Sequence, residues 1–194
     1  MWLLIIIAVI LLLYIFLICP SLRKHDDCGM FSGSYIAHRG LHNINKGIAE
    51  NSFSAYGEAI KRKLPIEIDI RLSRDGEVVV FHDDDLKRVC GVDKKVIDLD
   101  FKELRELKLL GTEDTIPTFR EVLELVDGSV PLLIEIKTTF GRDRELCEKA
   151  WEILKDYKGK YAVQSFYPPI IRWFKKNAPK ITRGQLATNF IKVK

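Results

Sequence analysis

PIEIDIRLSRDGEVVVFH, Pro65 to His82, holds two apolar runs around a short polar turn. In the first run Ile66, Ile68 and Ile70 alternate with Glu67 and Asp69, the period of two that marks a β-strand. Both carboxylates therefore face the same side of that strand. A second run, EVVVFH (77–82), ends on a histidine. Only RLSRDGE (71–77) separates Ile70 from Val78, and a parallel crossover needs a dozen residues or more. The two strands are thus joined either by a hairpin at Asp75-Gly76 or by an extended segment in place of a helix.

Outward from this stretch, strand-like and helical patterns alternate. YIAH (35–38), PLLIEIK (131–137), YAVQSF (161–166) and ITRGQLA (181–187) read as further strands, which makes six in all. NSFSAYGEAIKRK (51–63) reads as a helix capped by Asn51 or Ser52, with Phe53, Tyr56, Ala59 and Ile60 on one face. TFREVLELV (118–126), DRELCEKAWEILKDY (143–157) and PPIIRWFKKNA (168–178) are helical as well. Such alternation predicts an α/β fold, either a parallel sheet covered on both sides or a β/α barrel. Residues 84–117 form a long polar connection with some helix around 101–109, expected to pass over one end of the barrel.

The chain has 194 residues, enough for one domain with a sizeable core. Its 31 basic and 27 acidic residues give a formal net charge of +4, too balanced to argue for nucleic acid. Cys19, Cys28, Cys90 and Cys147 form no Cys-x-x-Cys pair, so zinc and thioredoxin-like chemistry lack support, and free thiols in a reducing compartment are expected.

WLLIIIAVILLLYIFLI, Trp2 to Ile18, carries no charge over 17 residues, near the lower limit for crossing a bilayer. No basic segment precedes it, and Ile18-Cys19-Pro20 is not a small-residue cleavage site. The reading is an uncleaved single-pass anchor over 1–19 and a linker over 20–34. Arg23 and Lys24 then place the domain that begins at residue 35 in the cytoplasm.

Polar groups gather near the strand ends. His38 and Arg39 end the first strand, Glu67 and Asp69 lie in the second, and His82 and Asp83 end the third. Glu135 and Lys137 lie in the fourth, and Gln164 and Ser165 end the fifth. Ligands of parallel α/β folds bind at the C-terminal ends of strands. Two or three carboxylates in one barrel mouth repel unless a cation sits between them, and oxygen ligands favour Mg²⁺ or Ca²⁺. His38 and His82 fit a general acid–base pair. Arg39 and Lys137 would face an anionic group, and arginine matches phosphate oxygens. His25 and His42 lie away from strand ends and carry no such expectation.

AHRG (37–40), ENS (50–52), EIDIRLSRDGEVVVFHDDDLKR (67–88), IPTFREVLELV (116–126), LLIEIK (132–137) and VQSF (163–166), taken in order, resemble the glycerophosphodiester phosphodiesterase family. The resemblance runs from Tyr35 to Leu186 and implies a TIM-barrel-like (phospholipase-C-like phosphodiesterase) fold, with residues 84–116 inserted after the third strand. It implies a divalent metal at Glu67, Asp69 and Glu135, an acid–base pair at His38 and His82, and phosphate binding by Arg39 and Lys137. Glu50 and Asn51 match the family's Glu-Asn motif and are expected at the substrate. The implied substrates are glycerol phosphodiesters. In the reaction the resemblance implies, the neighbouring glycerol hydroxyl attacks phosphorus, one histidine takes its proton, and the other protonates the leaving alcohol. Water then opens the cyclic phosphate to glycerol 3-phosphate. A full barrel of this kind has eight strands, so six leave it irregular and open. Two other functions stay open: a related enzyme acting on membrane lysophospholipids, and an inactive, truncated phosphate-binding membrane protein.

Overall fold

The computed structural model of the chain describes residues 2–18, 29–139 and 141–188. At the centre lies β1 (Ile66–Leu72), buried at all seven positions. Parallel to it, in order, run β3 (Leu132–Ile136), β4 (Tyr161–Ser165) and β5 (Thr182–Gln185). On its other side β2 (Val78–Val80) pairs antiparallel, with Ile70 opposite Val80 and Leu72 opposite Val78. The short connection is therefore a hairpin. The Ser73 N–H donates to the Glu77 carbonyl at 3.0 Å, and Gly76 supplies the left-handed φ of +84° that the turn needs.

Five strands form this sheet among the described residues, one fewer than the sequence predicts. The segment 35–38 shrinks to a single parallel bridge between Ala37 and Ile66. Its physical cause is local. Arg39 and Gly40 take φ of +56° and +79°, which turns the chain off the sheet directly after His38. Gly40 also sits tight against α2 (Phe53–Lys61), and a Cβ there would lie 2.8 Å from Ala55 Cβ. Gly40→Ala is expected to lower stability by about 2 kcal/mol or more, from left-handed strain and overpacking together. A denaturant midpoint unchanged at constant m-value would refute that.

The isoleucines of β1 pack with Leu132, Ile134, Ile136 and Val163 beneath α2, α5 (Phe119–Val126), α6 (Asp143–Leu154) and α7 (Pro168–Asn177). Because side chains alternate, Glu67, Asp69 and Arg71 face the opposite side of the sheet. Ser52 caps α2, its Oγ accepting from the Ala55 N–H at 3.1 Å. The inserted segment carries α3 (Lys87–Cys90) and α4 (Phe101–Arg105) and has a core of its own. In that core Leu86, Val89, Leu104 and Leu109 close over Val79 and Phe81 of the β2 region.

A bidentate pair, Arg105 to Glu121, ties this insertion to α5, with both contacts at 2.7 Å. It holds the Glu121 carboxyl down to about 2 from 4.5, against the opposing effect of burial and with help from the Thr118 cap. A depressed carboxyl contributes stability above its unfolded pKa and loses it as pH falls. The pair's contribution is thus complete above about 4.5 and fades toward 2. Both side chains are 35% exposed, so it amounts to roughly 1 kcal/mol after screening. Glu121→Gln is expected to flatten the acid limb of stability in that window. An acid limb identical to that of the unsubstituted chain would count against it.

The membrane expectation is corrected. The apolar helix α1 (Trp2–Ile18) spans 17 residues, about 25 Å at ~1.5 Å per residue, against a hydrocarbon core of ~30 Å. No helix among the described residues is long and apolar enough to cross a membrane. The single-pass anchor over 1–19, the membrane as partner, and the cytoplasmic placement drawn from that anchor fall with it. Arg23, Lys24, His25, Cys19, Cys28 and the linker over residues 20–28 lie outside the described residues. Cys90 and Cys147 are free thiols.

Candidate active site

Parallel register sets Asp69 of β1 directly beside Glu135 of β3. With Glu67 two residues earlier, one carboxylate oxygen from each of the three lies within 4.8 Å of the others. All three are buried, Asp69 completely. At an effective dielectric of about 20, two charges at such separation repel by about 3 kcal/mol. Lys137 opposes this from one side, pairing with Glu135 and lying 2.9 Å from Asp69 Oδ1. Arg39 Nε approaches Asp69 Oδ2 only to 3.8 Å. Lys137 and a more distant Arg39, which Glu50 shares, leave negative charge uncompensated among the three carboxylates. Burial first, and then the charge of Asp69, push the Glu67 carboxyl up to about 8.

Whether these residues fit a metal can be asked of single atoms. Asp69 Oδ1 is buried and lacks a hydrogen-bond donor among the described residues, since the nearby ammonium sits off the bonding direction. Three hard oxygen donors with excess negative charge suit a hard divalent cation rather than a soft-ligand metal.

The left-handed φ at Arg39 aims its N–H at Glu67 Oε2, 3.0 Å away. His38 stands exposed beside it. Desolvation and then the neighbouring Arg39 charge hold the His38 imidazole below its ordinary pKa, with Asp69 opposing. His82 is fixed at both ends. Its Nδ1 meets Asp83 Oδ1 at 2.6 Å, and its carbonyl accepts from Arg71 Nε and Nη2 at 3.0 and 2.8 Å. The same guanidinium donates to the Thr138 carbonyl at 3.1 Å, tying the end of β2 to the end of β3.

A cleft of about 440 Å³ joins these groups, with His38, Arg39, Glu67, His82, Glu135 and Lys137 in its wall. Ile36, Leu133, Phe166 and Leu186 add an apolar side, and Gln164 also reaches it. Ser165 instead turns inward, its Oγ donating to the Ile136 carbonyl at 2.7 Å. A second hollow of about 500 Å³ lies between the C-terminal ends of α5 and α6, lined by Arg120, Glu124, Asp127, Asp156 and Lys158, and holds no group that could bind a metal among the described residues.

Glu50 and Asn51, expected at the substrate, are turned to protein partners and do not line this cleft. Asn51 takes φ +52°, donates Nδ2 to Asp69 Oδ2 at 2.9 Å and accepts from the Tyr56 hydroxyl at 2.8 Å. Both Glu50 oxygens are taken by Arg39 and Arg88. Arg71, Tyr56, Asp83 and Arg88 carry no role in the sequence reading. Arg71 was within its reach, since it continues the alternation of Glu67 and Asp69. Of the other three, Asp83 and Tyr56 bond within five residues of themselves, and only the reach of Arg88 to Glu50 is a contact distant in sequence.

Residues 38–190 match the profile of the glycerophosphoryl diester phosphodiesterase family. The chain is 32% identical over 163 residues to a glycerophosphodiester phosphodiesterase of Caldanaerobacter subterraneus subsp. tengcongensis, covering 78% of this chain and 65% of that protein. It is also 32% identical over 152 residues to a lysophospholipase D of Rattus norvegicus, covering 72% of this chain and 46% of the rat protein. The chain thus spans less than two thirds of the length of either relative. Among solved structures it resembles an Oleispira antarctica phosphodiesterase in complex with its product sn-glycerol-3-phosphate, at TM-score 0.74 and 28% identity. That match covers 82% of this chain and 68% of the other. A glycerophosphodiester phosphodiesterase from Thermotoga maritima gives TM-score 0.65 at 33% identity, over 81% of this chain and 63% of that one. The TIM-barrel-like α/β fold is common to them and to this chain.

Proposed function

Because the chain belongs to the glycerophosphoryl diester phosphodiesterase family, we propose that it hydrolyses glycerophosphodiesters to glycerol 3-phosphate and an alcohol. The observation that carries this reading is the single cleft holding His38, His82, Arg39, Lys137 and the carboxylates of Glu67 and Glu135, with Asp69 beside them. In this reading the catalytic unit runs over 35–194, with 84–116 as its insertion.

Glu67, Asp69 and Glu135 would hold a divalent cation, whose chemistry when bound is Lewis-acid neutralisation of phosphoryl charge. Arg39 and Lys137 bring positive charge to the non-bridging oxygens and hold phosphorus near the histidines. A ring held below its ordinary pKa is neutral near pH 7, which supports His38 as the acceptor of the glycerol hydroxyl proton. The oxygen so freed attacks phosphorus and the bond to the leaving alcohol breaks. Proton delivery to that alcohol then falls to His82 in its doubly protonated form, which gives up the Nε2 proton while Asp83 holds Nδ1. Water attacks the cyclic phosphate in the second half, with the two proton transfers reversed.

A second substrate class, lysophospholipids, is favoured by the apolar side of the cleft, where Phe166 is 52% exposed, and by the rat relative. One product analysis distinguishes the two. With glycerophosphocholine and lysophosphatidylcholine offered separately, the main reading expects choline and glycerol 3-phosphate from the first, formed faster than choline and acylated glycerol 3-phosphate from the second. Preference for the second would move the assignment to the lysophospholipase D type. Phosphocholine as a product would sink both, because it requires cleavage of the other ester bond.

A further inference from the structure

Arg88 plays no part in the reaction as described, yet its guanidinium connects two groups that do. Its Nε donates to Asp83 Oδ2 at 2.6 Å, and the other oxygen of Asp83 holds His82 Nδ1. Its Nη1 and Nη2 donate to Glu50 Oε2 and Oε1 at 2.9 and 2.7 Å, and Glu50 Oε1 also receives Arg39 Nη1 at 2.9 Å. The result is one continuous series, His82–Asp83–Arg88–Glu50–Arg39, closed through α3 of the inserted segment.

We propose that Arg88 is a positioning residue for phosphodiester hydrolysis, orienting His82 through Asp83 and Arg39 through Glu50. The inference rests on the phosphodiesterase reading above. It assigns the insertion a catalytic purpose, since α3 delivers the residue that sets a proton-transfer group and a phosphate-binding group relative to each other.

Three physical points carry it. Burial raises the Asp83 carboxyl, but its bonds to Arg88 and His82 outweigh this and hold it below the ordinary range. An ionised Asp83 can only accept, so His82 keeps a proton on Nδ1 whether or not Nε2 is protonated, and the proton exchanged with substrate is the one on Nε2. Glu50 is divided between two guanidinium groups. Without Arg88 it would bind Arg39 alone and draw that side chain from the phosphate. Lastly, the Arg88 side chain lies at the rim, 46% exposed against 11% for Glu50 and 20% for Asp83, so its shortening opens no cavity in the core. A merely structural Arg88 would leave the kinetics of the folded chain untouched.

Other charged groups around His82 make no contact with Arg88. Arg71 holds the His82 carbonyl, Asp84 follows in sequence and pairs with Arg71 and Lys95, and His38 shares the cleft. They stay in place in the variants below.

The test uses the full chain, steady-state hydrolysis of glycerophosphocholine, and long-range ¹H–¹⁵N correlation of the His82 ring at pH 8, assigned with His82→Gln. Asp83→Asn is expected to lower kcat with little change in KM, and Glu50→Gln to raise KM with little change in kcat. Arg88→Gln is expected to do both, about 10-fold in each, and to turn a single Nδ1–H tautomer of His82 into a mixture. Arg88→Lys keeps the charge but cannot bridge both carboxylates, so it should fall between, and it is the variant read if Arg88→Gln does not fold. Unchanged kcat, KM and tautomer in a folded Arg88 variant overturn the proposal. Should the unsubstituted chain turn over no substrate, the tautomer alone decides: its loss in the Arg88 variant sustains the positioning role, and its persistence ends it.

Discussion

Replacing His82 with alanine is expected to lower kcat on glycerophosphocholine by about 10²- to 10⁴-fold, the usual contribution of one positioned proton-transfer group. The fold should survive. The ring lies outside both hydrophobic cores, and the structural task of this residue is performed by its carbonyl, which Arg71 grips and alanine retains. His38→Ala should behave alike, because His38 is exposed and leaves no cavity. The check is kcat beside a thermal midpoint. A variant that melts as the parent does and keeps half its activity would remove His82 from the mechanism.

Glu67→Gln is the second large effect, and here stability and activity should part. Glu67 sits among two other carboxylates, and burial together with Asp69 makes its charge unwelcome, pushing the carboxyl up to about 8. Glutamine keeps the shape and can still accept from the Arg39 N–H that Glu67 Oε2 receives. In chelator the variant should therefore be as stable as the parent or more so. A neutral amide weakens the oxygen cluster that would hold a cation, and activity should fall by about 10³-fold, equivalent to ~4 kcal/mol of transition-state stabilisation. Divalent cation should raise the melting temperature of the parent and not of the variant. An equal rise in both would remove Glu67 from the proposed ligand set.

How far the sequence alone reaches can be followed residue by residue. The period of two in β1 placed Glu67 and Asp69 on one face before any coordinates, because that rule is geometric and local. It stopped short at Ala37. Two consecutive left-handed residues end the strand there, and Arg39 is not a residue whose type announces positive φ. The hairpin was one of two readings, and only pairing across β1 and β2 chose it. Glu50 and Asn51 were located near the site by their motif, but their direction depends on the φ of Asn51 and on two arginines distant in sequence. The link from Arg88 to Glu50 exists because the insertion folds back on its own apolar core, a tertiary event that no short window encodes. In α1 composition suggested an anchor while length set the outcome, a few ångströms short of a bilayer core.

In the proposed function the strand-end carboxylates and histidines hydrolyse a phosphodiester with a divalent cation. Release of glycerol 3-phosphate from glycerophosphocholine by the purified chain, followed through chelation and re-addition of Mg²⁺ or Ca²⁺, tests it directly. The prediction is loss of turnover in chelator and its return with one of the two ions, a return that Glu67→Gln does not show. Turnover untouched by chelation, or none in either ion from a chain that circular dichroism shows to be folded, would contradict it.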